Sequence, residues 1–126
     1  MVGGEILIVA GIGCRRGCPA EDIVALVRLA GSRSRPAQAL AAPAFRRDEP
    51  GLLEAAARLA LRLEFVDEAT LAAAQPFCPT RSPAALRATG FASIAEAAAL
   101  GPGGTLLLTR IAGGAATCAV ARRSGP

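Results

Sequence analysis

Apolar residues in this chain come in short runs separated by polar, glycine- and proline-marked breaks, and the first run sets the pattern. Ile6-Leu7-Ile8-Val9-Ala10 is continuous rather than alternating. The strand it predicts over residues 4–12 therefore has both faces buried, as a central strand does in a largely parallel sheet with helices on two sides. A helix follows: Cys18-Pro19 reads as N-cap and first helical position, with Glu21 and Asp22 in the first turn, and Ile23, Leu26, Val27 and Ala30 recur at helical spacing before Gly31.

The same reading carries down the chain. Residues 31–36 form a polar turn, and Ala37–Ala42 a short strand despite alanine's poor strand propensity. Asp48-Glu49-Pro50-Gly51 opens a second helix with Leu52, Ala56, Leu59, Ala60 and Leu63 on one face and Glu54 and Arg58 paired on the other; Leu63–Val66 fits a strand. Asp67 caps a helix through Ala74, and Gln75–Thr80, with two prolines, is a loop. Ser82-Pro83 starts a short helix that Gly90 stops; Ser93 and Glu96 have capping-box spacing ahead of an alanine-rich helix ending at Gly101. Thr105–Arg110 is a buried strand, Ile111–Ala116 a glycine-rich turn and Thr117–Ala121 a last strand completing a hairpin. The elements predict an α/β fold: a single three-layer α/β/α domain over residues 1–126, with a mostly parallel mixed sheet of about five strands ending in a β-hairpin.

Composition narrows the chemistry. All fourteen basic residues are Arg, the net charge is +4, and the chain has neither Lys nor His. Without His there is no His-based triad, no imidazole metal ligand and no histidine base, so no autonomous catalytic constellation stands out and no catalytic residue is assigned. Cys14, Cys18, Cys78 and Cys118 include no Cys-x-x-Cys pair, and zinc would need all four thiolates; no metal and no cofactor are expected. Cys78 and Cys118 read as small buried hydrophobes. The arginines are scattered and aromatics few, which argues against nucleic acid as a partner. No uncharged apolar stretch is long enough to span a bilayer and no secretory pattern opens the chain, so no membrane association is expected and a cytoplasmic location with reduced thiols is.

The stretch carrying candidate chemistry is Gly11-Ile12-Gly13-Cys14-Arg15-Arg16-Gly17. A buried strand there delivers a glycine turn to a helix start, where free N–H groups and guanidinium forks suit an anion. It is neither nucleotide fingerprint: G-x-G-x-x-G would need glycine at Arg16, and a P-loop needs Gly-Lys-Ser/Thr where Gly17-Cys18-Pro19 stands. Cys14 is open to two readings, a thiol of lowered pKa beside Arg15 or a small buried residue. Ser93 and Glu96 are better explained by capping than by catalysis, and Glu49 with Arg46 is either a surface pair or the edge of a site.

Several blocks in order resemble one family. The loop above with Glu21-Asp22, then Asp48-Glu49-Pro50-Gly51-Leu52-Leu53, then Thr89 to Leu100 are similar to the CobE family, itself similar to the C-terminal domain of CbiG, the hydrolase that opens the lactone ring of a cobalt-precorrin. The resemblance runs from about Ile6 to Arg122 and implies a part in cobalamin (vitamin B12) biosynthesis at the corrin-ring stage. It does not imply hydrolase activity, which belongs with the rest of CbiG. Where the family usually shows lysines, this chain has Arg46 and Arg110, and Ala42 replaces a usual serine. The charge survives, but a lysine-dependent step would not, because arginine stays protonated.

The expected ligand is a corrinoid or precorrin intermediate, a polycarboxylate tetrapyrrole of the hydrogenobyrinic acid type. Other cobalamin-biosynthesis enzymes are expected partners. The expected binding set is Gly11, Gly13, Cys14, Arg15, Arg16 and Gly17 in the loop, with Arg46, Glu49, Ser93, Glu96 and Arg110. Arg15 and Arg16 are the first-choice anchors. An enzyme or enzyme-partner domain for a precorrin transformation, and a non-catalytic docking module, are the alternatives.

Overall fold

Ile6–Cys14 forms β1, the middle strand of a five-stranded sheet in the computed structural model of the chain, which describes residues 6–124. Residues 4–5 of the predicted strand lie outside the described residues. Ala39–Pro43 (β2) pairs with β1 in parallel, and Arg62–Val66 (β3) pairs in parallel with β2. On the other side Ala116–Ser124 (β5) runs antiparallel to β1, and Thr105–Gly113 (β4) antiparallel to β5, giving the order β3-β2-β1-β5-β4. Four strands thus point one way and β5 runs against them.

Alternation along β1 divides the core into two layers. Ile8, Ala10 and Ile12 face the helices Ala20–Arg33 (α1) and Pro50–Leu59 (α2), packing with Leu40, Leu52 and Val120. Val9 faces the opposite layer, where Glu68–Ala74 (α3) and Ala95–Leu100 (α5) lie with Ala41, Leu71, Ala119 and Ala121. Burial on both faces is why the opening run is continuously apolar. Pro83–Thr89 (α4) contributes no buried residue to either layer.

Gly11 shows why the second layer is built of small residues. A Cβ there would sit 2.1 Å from the Ala95 carbonyl oxygen and 2.4 Å from the Ala99 nitrogen. The backbone of α5 lies directly on β1, so Gly11 serves helix-on-strand packing rather than a ligand.

Boundaries move where long-range contacts outrank local signals. Pro19 occupies the N-cap of α1 with extended backbone and no side-chain cap, one residue later than predicted, and the helix runs through Gly31 to Arg33. β2 is shifted to Ala39–Pro43, where its register with β1 places it. α2 stops at Leu59 because Ala60 turns left-handed at φ 56° and donates back to Ala56 and Ala57; Leu63 therefore belongs to β3. The predicted glycine-rich turn is shorter: β4 continues to Gly113, and Gly114-Ala115 alone reverse the chain, with Gly114 at φ 59°. β5 likewise extends to Ser124, held by β1 from Ile6↔Ser124 to Cys14↔Ala116.

The capping box at Ser93 and Glu96 does not form. Ile94 is the N-cap of α5 and no side chain caps it. Glu96 is fully buried and bonds away from its own helix, because two other segments bring it unpaired N–H groups.

Candidate functional site

A cleft of about 380 Å³ opens beyond the carboxyl ends of β1 and β2, beside the β4–β5 turn and under α4. This is the place where sheets of parallel strands most often bind ligands, since the loops there leave a crevice framed by rigid strands. Arg15, Arg46 and Arg110 line it, from three separate elements.

Each arginine is positioned by backbone contacts. Arg15 follows β1 directly, and its N–H donates to the Ala115 carbonyl at 3.1 Å, tying the loop to the hairpin turn. Arg46 ends the 3-10 turn after β2; its Nε donates to the Cys14 carbonyl at 3.0 Å, and its guanidinium carbon stands 5.1 Å from the centre of the Phe45 ring. Arg110 sits in an irregular part of β4, where Leu108 pairs with Val120 and Ile111 with Cys118, so two residues of β4 oppose Ala119 alone. Such a bulge re-aims the side chains it contains.

Three carboxylates outside the lining are engaged by backbone near the cleft. Glu49, 9% exposed, accepts the Gly17 N–H and so holds the β1–α1 turn, in which Gly17 has φ 77°. Asp22 accepts the Ala115 N–H at 3.1 Å and holds the hairpin turn. Glu96 accepts the N–H groups of Thr80 and Arg110, both at 2.9 Å, and the Ser93 hydroxyl at 3.3 Å. The ion pairs among the described residues are Arg58 with Glu21 and Glu54, and Arg123 with Glu64. Arg15, Arg46 and Arg110 enter none of them. Carboxylates thus brace the rim, and guanidinium groups remain available to a ligand.

The expected binding residues separate accordingly. Gly13, Cys14, Arg15, Arg46 and Arg110 line the cleft. Gly13 is there for packing as well, since a Cβ would lie 2.6 Å from the Thr117 hydroxyl. Glu49, Ser93 and Glu96 lie behind the walls. Arg16 is exposed and, like Gly11 and Gly17, is not part of the lining.

Cys14 is half-buried in the cleft wall and is not a thiol of lowered pKa. Burial pushes its thiol up to about 11, with nearby Cys18 and Glu49 adding to the rise and Arg46 opposing it, so it is a neutral wall group. Cys18, Cys78 and Cys118 are buried and free, and burial raises each of their thiols as well, Cys118 to about 12.

Sequence reasoning did not find the apolar half of the cleft. Phe45 and the alanines Ala84, Ala85 and Ala88 of α4 form it. The only local signal was the Ser82-Pro83 start of α4, where Ser82 does accept the Ala85 N–H at 3.1 Å. Asp22 stands in the first turn of α1, as expected, but its bond to a residue 93 positions away has no local signature.

Comparison with known proteins agrees with this architecture. The family model described as cobalamin synthesis G C-terminus matches residues 8–121. Protein CobE of Sinorhizobium sp is 34% identical over 121 residues, 90% of this chain and 79% of that protein. The crystal structure of CobE, a protein from the cobalamin (vitamin B12) biosynthetic pathway, superposes with a TM-score of 0.87 at 37% identity, covering 100% of this chain and 97% of that one. The cobalamin biosynthesis protein chiG from Agrobacterium tumefaciens str. C58 gives 0.71 at 39% identity, covering 91% and 97%. No helix among the described residues is long and apolar enough to cross a membrane.

Proposed function

The chain belongs to the CobE family, the family of the cobalamin synthesis G C-terminus, and is a cobalamin-biosynthesis protein; from that premise we propose that it binds a polycarboxylate tetrapyrrole intermediate in the cleft under α4. One observation carries the reading. Three arginines line one cleft and enter no ion pair among the described residues, while Glu49, Asp22 and Glu96 nearby each accept a backbone N–H. Acetate and propionate arms would meet Arg15, Arg46 and Arg110 as charge-assisted forks, and the ring face would lie against Phe45 and the alanines of α4. With no His in the chain, an imidazole cannot reach a ring-bound cobalt, so recognition rests on the periphery and the shape of the ligand.

Titration with hydrogenobyrinic acid, followed through the corrin absorption bands, tests the reading. Binding is expected, with co-elution on a sizing column and an affinity that falls as salt rises, because charges at an open cleft are screened. No spectral change and no co-elution would overturn it. Pull-down of pathway enzymes without ligand, unaffected by loss of the cleft arginines, would favour a docking module instead.

A further inference from the structure

We infer, resting on the tetrapyrrole reading, that the cleft grips one edge of the ring and leaves the opposite edge, with its carboxylate arms, in open solvent. At about 380 Å³ the cleft is near the small end of the roughly 300–1,000 Å³ that encloses a drug-sized ligand, and a four-ring macrocycle with acid arms is larger than such a ligand. The roof is narrow: the seven residues of α4 give a helix about 10 Å long, which covers only part of a macrocycle. α4 also buries no residue of its own, so it adds no deep wall.

The charges tell the same story. Arg15, Arg46 and Arg110 are the charged residues of the lining; Arg15 and Arg46 follow the ends of β1 and β2, and Arg110 sits in the irregular part of β4 ahead of the hairpin turn. Arms on the far side of the ring would find no guanidinium in the lining. A ring held this way is anchored yet reachable, so a second protein can take the free edge before the first releases the other.

Protection of the arms is the direct test. Hydrogenobyrinic acid bound to the intact protein is treated briefly with a water-soluble carbodiimide and a small amine, then released and weighed by mass spectrometry. Two or three arms should stay as free acids while the others are converted to amides, and Arg110→Ala should expose one more. A single pyrrole bearing one acetate and one propionate should also compete with the ring, because an edge grip needs only adjacent arms. Protection of every arm, with no competition by the single pyrrole, would overturn the edge grip and leave the binding reading standing. Conversion of every arm in a complex that still forms would overturn the grip through arms altogether. Absence of any complex in the absorption titration would remove the tetrapyrrole reading and the edge grip with it.

Discussion

Arg123 and Arg110 stand on adjacent strands, β5 and β4, at opposite ends of the sheet, and they are used in opposite ways. Arg123 is locked from every side: its Nε donates to Ala99, Nη2 to Ala98 and Nη1 to Glu64, at 2.9, 2.7 and 2.7 Å, and its side chain is 10% exposed. It closes the carbonyl end of α5 and ties β3 to the far side of the sheet. Arg110 lines the cleft, its backbone N–H is held by Glu96, and its guanidinium enters no hydrogen bond or ion pair among the described residues. What separates the two is that the fold supplies acceptors for all three guanidinium nitrogens of Arg123 and, among the described residues, for none of Arg110's.

The largest break in this comparison comes from Glu96. Glu96→Ala removes a fully buried carboxylate and leaves the partly buried N–H groups of Thr80 and Arg110 and the buried Ser93 hydroxyl without their acceptor. At roughly 1–3 kcal/mol for each orphaned group, with partial relaxation, the expected loss is about 3–4 kcal/mol in urea unfolding. Binding should weaken as well, because the same bonds hold Arg110 and the loop leading into α4. A loss below about 1 kcal/mol would mean that the rim does not depend on its carboxylates.

Arg123→Ala is expected to come next, at about 2–3 kcal/mol. Removing it strands two helix-end carbonyls and the Glu64 carboxylate, and the partial exposure of Glu64 holds the figure below the ~3–5 kcal/mol of a fully buried pair. Ligand affinity of the folded variant should stay within about twofold. A fall in affinity with no loss of stability would reverse the roles assigned to the two ends of the sheet.

The division between legible and illegible follows the range of the interactions. The continuous apolar run of β1, Pro50 at the start of α2, Asp67 accepting the Thr70 N–H, and Ser82 with Gly90 bracketing α4 are all local, and each was readable from a few neighbouring residues. Arg15, Arg46 and Arg110 were candidates by residue type and family pattern, but their convergence depends on the strand order and on an irregularity in β4. Ser93 and Glu96 matched a local motif, and the local reading failed there because the carboxylate found N–H groups at Thr80 and Arg110, 16 and 14 residues away. Gly11 was misread for the same reason. Its neighbour is a helix more than eighty residues on, and a glycine needed for packing looks like one needed for a phosphate or carboxylate.

Arg110→Ala tests the other half of the comparison. At an open cleft one charge-assisted contact contributes about 1.4 kcal/mol, so affinity for hydrogenobyrinic acid should fall about tenfold. Stability should change by less than about 0.5 kcal/mol, as for an exposed side chain with no partner among the described residues. Arg46→Ala should weaken binding to a similar degree and cost slightly more stability, because its Nε bond to Cys14 is lost too. Arg16→Ala, outside the lining, should leave affinity within about twofold. If Arg16→Ala were the more damaging change, the anchors would lie on the exposed loop rather than in the cleft.

The smallest effect sharpens the comparison most finely, because it asks where the free cations act. Cys14 shares the cleft wall with Arg46, yet burial outweighs that charge and moves its thiol from 9.0 to about 11. Only the thiolate is alkylated, so labelling of the Cys14 peptide by a haloacetamide should climb about tenfold per pH unit through pH 9 and level off only near 11. Arg46→Ala removes the one influence that lowers the value, and the plateau should move higher still. Bound ligand should slow the labelling at every pH by covering the wall. A plateau at or below 9 would mean that the guanidinium groups act on the protein's own thiol, leaving the cleft with less uncompensated charge for a ligand than its geometry implies.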